Sequence, residues 1–324
     1  MNSDQIHKII SSAQECINIE QTALQRLQET INLSFAEAVM HLNQCKGRIV
    51  ITGIGKSAII AQKIVATFNS TGTQSIYMHA ADAIHGDLGM IHNQDVVICI
   101  SKSGETPEIK ALIPLVKNLG SRLQCIVSNL DSTLARQSDD VYYVPIDQEA
   151  EPNNLAPTAS TTAQLALGDA LAVALLSLKG FTAQDFAQYH PGGSLGKQLY
   201  LKVSDLSHTH LAPVVMPTDS IRAVILEMTK KRLGATAVCD KENKLKGMIT
   251  DGDLRRMLDK NENISSLQAQ NIMNPNPKTI HADELAIEAF RLMQAHSITQ
   301  LIVIKDDQYY GMIHLHDLIK EGFI

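Results

Sequence analysis

The chain has 324 residues, enough for roughly two domains, and its 44% hydrophobic content is ordinary for a globular protein. A net charge of −6 without a basic block, 4% aromatic residues and no Trp leave little for phosphate tracking or base stacking, so nucleic acid is excluded as an expected partner. Five cysteines (Cys16, Cys45, Cys99, Cys125 and Cys239) show no Cys-x-x-Cys spacing, which argues against a disulfide framework or a structural zinc site.

The start, MNSDQIHKII, lacks a basic stretch leading into an apolar core, and no run of eighteen apolar residues occurs, so a cytoplasmic protein is expected. From Ile6 to Cys45 apolar residues recur at helical spacing: Ile6, Ile9, Ile10, Ala13, Ile17, Leu24, Leu27 and Ile31. Ser34 and Glu37 read as a capping box that starts a second helix at Phe35. The first helix serves either a subunit contact or packing on its own domain.

From Arg48, the short β-branched runs RIVITG, QSIYM, DVVICIS, LQCIVS and VYYVP alternate with helical stretches. Near-continuous apolar strands of this kind predict a parallel sheet covered by helices on both faces, with ligands at the strands' carboxyl ends near a topological switch point. Two of those ends stand out. The first, ITGIGKSAII, resembles a P-loop but has Val50 where that motif needs its first glycine. A dinucleotide fingerprint would need glycine at Ala58. What remains is a helix N-terminus with Lys56 and Ser57 beside it, which attracts an anion such as a phosphate; the alternative is a plain turn with a solvated lysine. The second, SKSGETPE, sets Ser101, Ser103 and Thr106 around a glycine turn at the start of a helix near Thr106. This is a phosphate cradle without a nucleotide motif, or a hydroxyl-rich cap. Ser160, Thr161 and Thr162 open a later helix and could complete the cradle or serve as its N-cap.

After TASTTAQLALGDALAVALLSLKG the chain passes through HPGGSLGKQL into an internal repeat. A shift of 64 residues superimposes Gly247, Met248, Ile249, Asp253 and Leu254 on Gly311, Met312, Ile313, Asp317 and Leu318. Each copy reads helix, strand, turn, strand, helix. The period exceeds that of most solenoids, so a tandem pair of small modules is expected.

The ordered motifs GIGKS, HGDLGM, SKSGET, LAPTASTT and HPGG, followed by that pair, resemble the arabinose 5-phosphate isomerase family over nearly the whole length. The resemblance implies an α/β fold: a SIS-type parallel sheet with flanking helices over residues 1–200, then a tandem CBS pair of α+β modules at 203–262 and 270–324. It also implies interconversion of D-ribulose 5-phosphate and D-arabinose 5-phosphate, the first step toward Kdo in lipopolysaccharide. That chemistry passes through an enediolate, so it needs a base and an oxyanion stabiliser and no redox cofactor. By resemblance, Lys56, Glu108, Glu149 and His190 are the catalytic residues. Glu149 is the proton-transfer base, His190 acts in ring opening or oxygen proton transfer, and Lys56 faces the enediolate. His85 joins Ser57, Ser101, Ser103, Thr106, Ser160 and Thr161 as substrate contacts. His79 is implied as a ligand of an inhibitory or structural zinc, and a homotetramer is implied. CBS pairs of this kind bind nucleotides, which points to Thr250, Asp253 and Asp317, with His314, as contacts for a nucleotide or CMP-sugar effector, or else to a purely structural pair.

Three departures from the family pattern bear on the site. AEPNN replaces a Cys-Pro-Leu-Gly type run and brings a second carboxylate, Glu151, beside Glu149. Lys102 stands where Asn is usual, either adding positive charge beside the phosphate or pointing to solvent. Ser207 replaces an apolar residue, which predicts an irregular leading strand in the first CBS module. Rival readings are another phosphosugar aldose–ketose isomerase, a sugar-phosphate sensor of the kind found in transcription regulators, and a nucleotide-sensing CBS protein with an inactive SIS domain. The sensor reading would call for a helix-turn-helix and a basic surface, neither of which the sequence displays.

Overall fold

The computed structural model describes residues 3–207, 212–260 and 264–323. The expected domain ends at 1, 262 and 324, and the histidine and threonine of SDLSHT, lie outside them. The chain divides into two compact units, Met1–Tyr189 and His190–Ile324.

In the first unit five parallel strands form one sheet: β1 (Ile49–Gly53), β2 (Ser75–His79), β3 (Val96–Ile100), β4 (Arg122–Val127) and β5 (Asp140–Tyr143). The spatial order is β2-β1-β3-β4-β5. Alternate residues enter opposite cores, as the pleat requires. Ile49, Ile51, Ile98 and Ile100 pack with helices α2 (Leu33–Asn43), α3 (Lys56–Ser70) and α7 (Ala159–Leu178). Val50, Val97, Cys99 and Cys125 pack on the other face with the short α4 (Ala80–Ala83), with α5 (Pro107–Asn118) and with α6 (Thr133–Gln137).

Helix α7 has the length and apolar composition of a membrane span. It is instead the core helix of this layer, burying Ala163, Leu167, Leu171, Ala172 and Leu175 against α1 (Ser3–Glu29), α2 and α3. Helix α8 (Ala183–Tyr189) closes the unit. The capping box expected at Ser34 and Glu37 is replaced by an earlier cap. The Asn32 side chain accepts from the Ser34 and Phe35 amides, so α2 starts at Leu33. An Asn two residues upstream reaches the same orphan N–H groups and displaces the serine.

The second unit holds α9 (Ser194–Tyr200), α10 (Val203–Ser207) and the two repeats. One repeat has β6 (Val214–Val215), α11 (Ile221–Lys231), β7 (Ala235–Cys239), β8 (Leu245–Thr250) and α12 (Asp251–Lys260). The other has α13 (Ala269–Ile272), β9 (Thr279–His281), α14 (Ala286–His296), β10 (Gln300–Lys305), β11 (Gln308–His314) and α15 (Leu315–Lys320). Each repeat makes a three-stranded sheet, β6-β7-β8 or β11-β10-β9, and residues of both, such as Ala237 and Met312, share one core. The irregular strand expected at Ser207 is instead a helix end. Ser207 is buried, and its hydroxyl turns back to the Ser204 carbonyl, a local bond that favours helical over extended backbone.

Candidate active site

Gly53 and Ile100 are register partners at the ends of β1 and β3. The chain leaves β1 toward α3 on one face and leaves β3 toward α5 on the other. The crossovers that follow these two parallel neighbours therefore lead in opposite directions, which is the switch point where such sheets open a crevice. Gly55, with φ of +58°, makes the turn into α3 that a side-chain-bearing residue would strain.

Between the two loops lies a cavity of about 230 Å³ lined by Ile54, Ser57, Ile100, Ser101, Lys102, Ser103, Thr106 and Ile109. All three hydroxyls of SKSGET reach it. Ser101 Oγ accepts from the Gly104 amide at 3.1 Å and Ser103 Oγ from the Glu105 amide at 3.3 Å. Thr106 is the N-cap of α5 but caps no amide with its side chain, and its buried Oγ1 has no hydrogen-bond partner. A buried hydroxyl lacking a partner beside the first-turn amides of a twelve-residue helix is what an anion site requires.

The loop is held from behind. Gly104 has φ of +67°, and a Cβ there would lie 2.3 Å from Ser132 Oγ. Glu105 accepts from the Thr133 amide at 2.5 Å and its hydroxyl at 3.1 Å, contacts that hold its carboxyl below the usual range.

Glu149 is buried at 2% exposure. Its Oε2 accepts from the Thr158 and Ser160 amides at 2.9 and 3.1 Å, at the start of α7, and Oε1 takes the Lys102 ammonium at 2.6 Å. Burial alone would push this carboxyl up. The bonds from Lys102, Ser160 and Thr158 outweigh it and hold the group at about 2. The backbone around it is fixed too: the Glu149 amide donates to Asn154 Oδ1 at 2.7 Å and the Ala150 amide to Thr158 Oγ1 at 2.7 Å. Glu151, by contrast, spends its carboxylate on its own loop, accepting from the Leu155, Asn153 and Ala156 amides. Of these two carboxylates, only Glu149 adjoins the lysine of the cavity.

The other expected site residues are placed less centrally. Lys56 is exposed at the first position of α3, and Glu108 is half-buried in the first turn of α5. His85 is exposed in the turn after α4. Ser160 is buried against Glu149, and Thr161 Oγ1 donates to the Thr158 and Pro157 carbonyls, so the start of α7 serves the glutamate and does not line the hydroxyl cavity. His190 begins the second unit.

Three contacts go beyond the sequence reading: the Lys102–Glu149 pair, Thr158, and Gln164, whose Oε1 accepts from Ser57 Oγ at 3.2 Å. Gln164 was detectable in principle. It lies four residues after Ser160 in an apolar helix, so the two share one buried face.

His79 ends β2 with its Nδ1 buried and 3.6 Å from Asp82 Oδ2. Among the described residues no group of three or more His, Cys, Asp or Glu could hold a metal ion. In the repeats, Asp253 Oδ2 accepts from the Thr250 amide and hydroxyl at 2.8 and 2.6 Å, and its Oδ1 pairs with Arg256. Asp317 accepts from the His314 amide at 3.2 Å, the same strand-to-helix geometry 64 residues later.

The SIS domain family matches residues 41–174, and the CBS domain family matches 203–260 and 269–323. The Escherichia coli K12 protein named arabinose 5-phosphate isomerase KdsD is 46% identical over 97% of this chain and 96% of its own length. The Pseudomonas aeruginosa PAO1 protein of that name is 45% identical over 99% of both chains. A solved structure, E. coli CFT073 c3406 in complex with arabinose 5-phosphate, is 42% identical with a TM-score of 0.56, covering 59% of this chain and 100% of its own.

Proposed function

The chain belongs to the arabinose 5-phosphate isomerase family, and from that premise we propose that it interconverts D-arabinose 5-phosphate and D-ribulose 5-phosphate at the β1/β3 crevice. The observation that carries the proposal is the buried Glu149 carboxylate, fixed at a helix start and linked through Lys102 to a hydroxyl-lined anion cavity. Ser57, Ser101, Ser103 and Thr106 hold the phosphoryl group in that cavity. Glu149 takes the proton from C2 of the open-chain aldose and returns it to C1 while the O2 proton passes to O1, so the balance needs no electron acceptor. Lys56 supplies positive charge where the enediolate oxygen develops. Glu108 joins them as a catalytic group, His85 contacts the sugar, and His190 acts in ring opening or in the proton transfer between O2 and O1.

The CBS pair is proposed to take a nucleotide or CMP-sugar effector, a reading supported by the recurrence of Thr250–Asp253 as His314–Asp317. The exposed apolar face of α1, with Ile9 at 70% and Ile17 at 65% exposure, supports self-association into the homotetramer implied by resemblance. A phosphorylated substrate, which does not cross a bilayer unaided, supports work in the cytoplasm, in the step toward Kdo that the resemblance implies.

The test is to incubate the purified chain separately with ribulose 5-phosphate, ribose 5-phosphate and glucosamine 6-phosphate and identify products by NMR. Arabinose 5-phosphate from the first substrate alone is expected. Turnover of either of the others in its place overturns the assignment.

A further inference from the structure

Lys102 belongs to two sites at once. It lines the hydroxyl cavity, and its Nζ sits 2.6 Å from Glu149 Oε1. The two oxygens of Glu149 are treated differently: backbone amides hold Oε2, whereas Oε1 is covered by a flexible side chain that is itself 41% exposed. An oxygen covered by an ammonium can neither approach a C–H bond nor compete well for its proton.

We propose that Lys102 is a positioning residue that releases Glu149 in response to phosphate: the substrate's phosphoryl group, on entering the cavity, draws Nζ off Oε1 and so exposes the base only when a substrate is bound. The proposal rests on the isomerase reading for the identity of that substrate; the lysine's movement between two anions does not.

The electrostatics favour the exchange. A phosphate dianion offers Lys102 a larger charge than Glu149 does, in a partly solvated position where moving the ammonium costs little desolvation. Glu149 is left with the amides at the start of α7, which keep it ionised near neutrality while its affinity for a proton rises. The remaining groups around it do not replace the lysine. Thr158 and Ser160 are neutral donors, Asn154 bonds only its backbone, Glu151 is committed to its own loop, and Glu15 on α1 lines the adjoining cavity with a negative charge. The departure from the family's usual Asn at this position therefore adds a control on the base as well as charge for the phosphate.

The test uses the full chain carrying 13C-labelled glutamate, with the Glu149 signal assigned by its loss in Glu149→Gln. At about pH 7.5, where inorganic phosphate is largely the dianion, saturating phosphate, its occupancy followed by 31P NMR, should shift the Glu149 carboxylate signal as the ammonium leaves Oε1. In Lys102→Met the signal should already lie at the shifted position and should no longer respond to phosphate, and Lys102→Arg should restore part of the response. Failure of phosphate to bind, or binding with an unchanged Glu149 signal in the wild type, overturns the proposal without recourse to any variant, and so does a full response in Lys102→Met. Absence of isomerase activity alongside a phosphate-dependent signal would instead overturn the isomerase reading and leave this one standing.

Discussion

Lys56 stands exposed at the first position of α3, just past the left-handed turn at Gly55, where no anionic side chain among the described residues is bonded to it. Its proposed work is electrostatic. Loss of one donor to a developing oxyanion costs roughly 3 kcal/mol in the transition state. Lys56→Ala should therefore lower kcat on the order of a hundredfold and leave the thermal midpoint near that of the wild type, since an exposed side chain stabilises little. Steady-state kinetics beside a melting curve checks both; near-native turnover removes Lys56 from the chemistry. Glu149 is the opposite case, a buried charge whose removal leaves amides without an acceptor. Glu149→Gln keeps an acceptor oxygen at that place and is the variant that separates base from scaffold.

At the scale of elements, the cradle depends on the loop between β3 and α5 being pressed against the start of α6. Gly104→Ala would bring a methyl group within 2.3 Å of Ser132 Oγ at a φ of +67°. The left-handed backbone alone costs an L-residue about 1–2 kcal/mol. The expected outcome is a raised KM with a lowered melting temperature, because Ser101 and Ser103 move with the loop; an unchanged KM would mean the hydroxyls do not hold the phosphate.

The strands, their parallel sheet and the glycine turns were legible because near-continuous β-branched runs and Gly-x-Gly have few other uses. The capping residue of α2 was not, since Asn32 and Ser34 both satisfy the cap chemistry and only geometry selects between them. The Lys102–Glu149 pair was illegible for another reason: the partners are 47 residues apart, and nothing in a linear sequence records which loop a flexible lysine turns toward. Gln164, one polar residue on a buried helical face, sat between these cases.

For the whole molecule, the proposed catalytic groups lie at or before His190, and the repeats supply no second set of base and phosphate donors among the described residues. The alignment with the c3406 structure covers 59% of this chain and all of its own. A chain ended at Gln198 should accordingly keep measurable isomerase activity. A nucleotide or CMP-sugar effector can change activity only by favouring one state of the full chain over another. Its effect should vanish on truncation and weaken in Asp253→Ala, whose carboxylate ties β8 to α12. Calorimetry showing no nucleotide binding, with unchanged kinetics, would assign the pair a structural role.

The central claim is that this chain isomerises arabinose 5-phosphate through a proton held by Glu149. The most direct measurement follows arabinose 5-phosphate in D2O by NMR with the wild type, Glu149→Gln and Glu151→Gln. The wild type and Glu151→Gln should give ribulose 5-phosphate with solvent deuterium at C1, and folded Glu149→Gln should give neither product nor exchange. Product from Glu149→Gln at the wild-type rate, or loss of exchange in Glu151→Gln alone, would contradict the account.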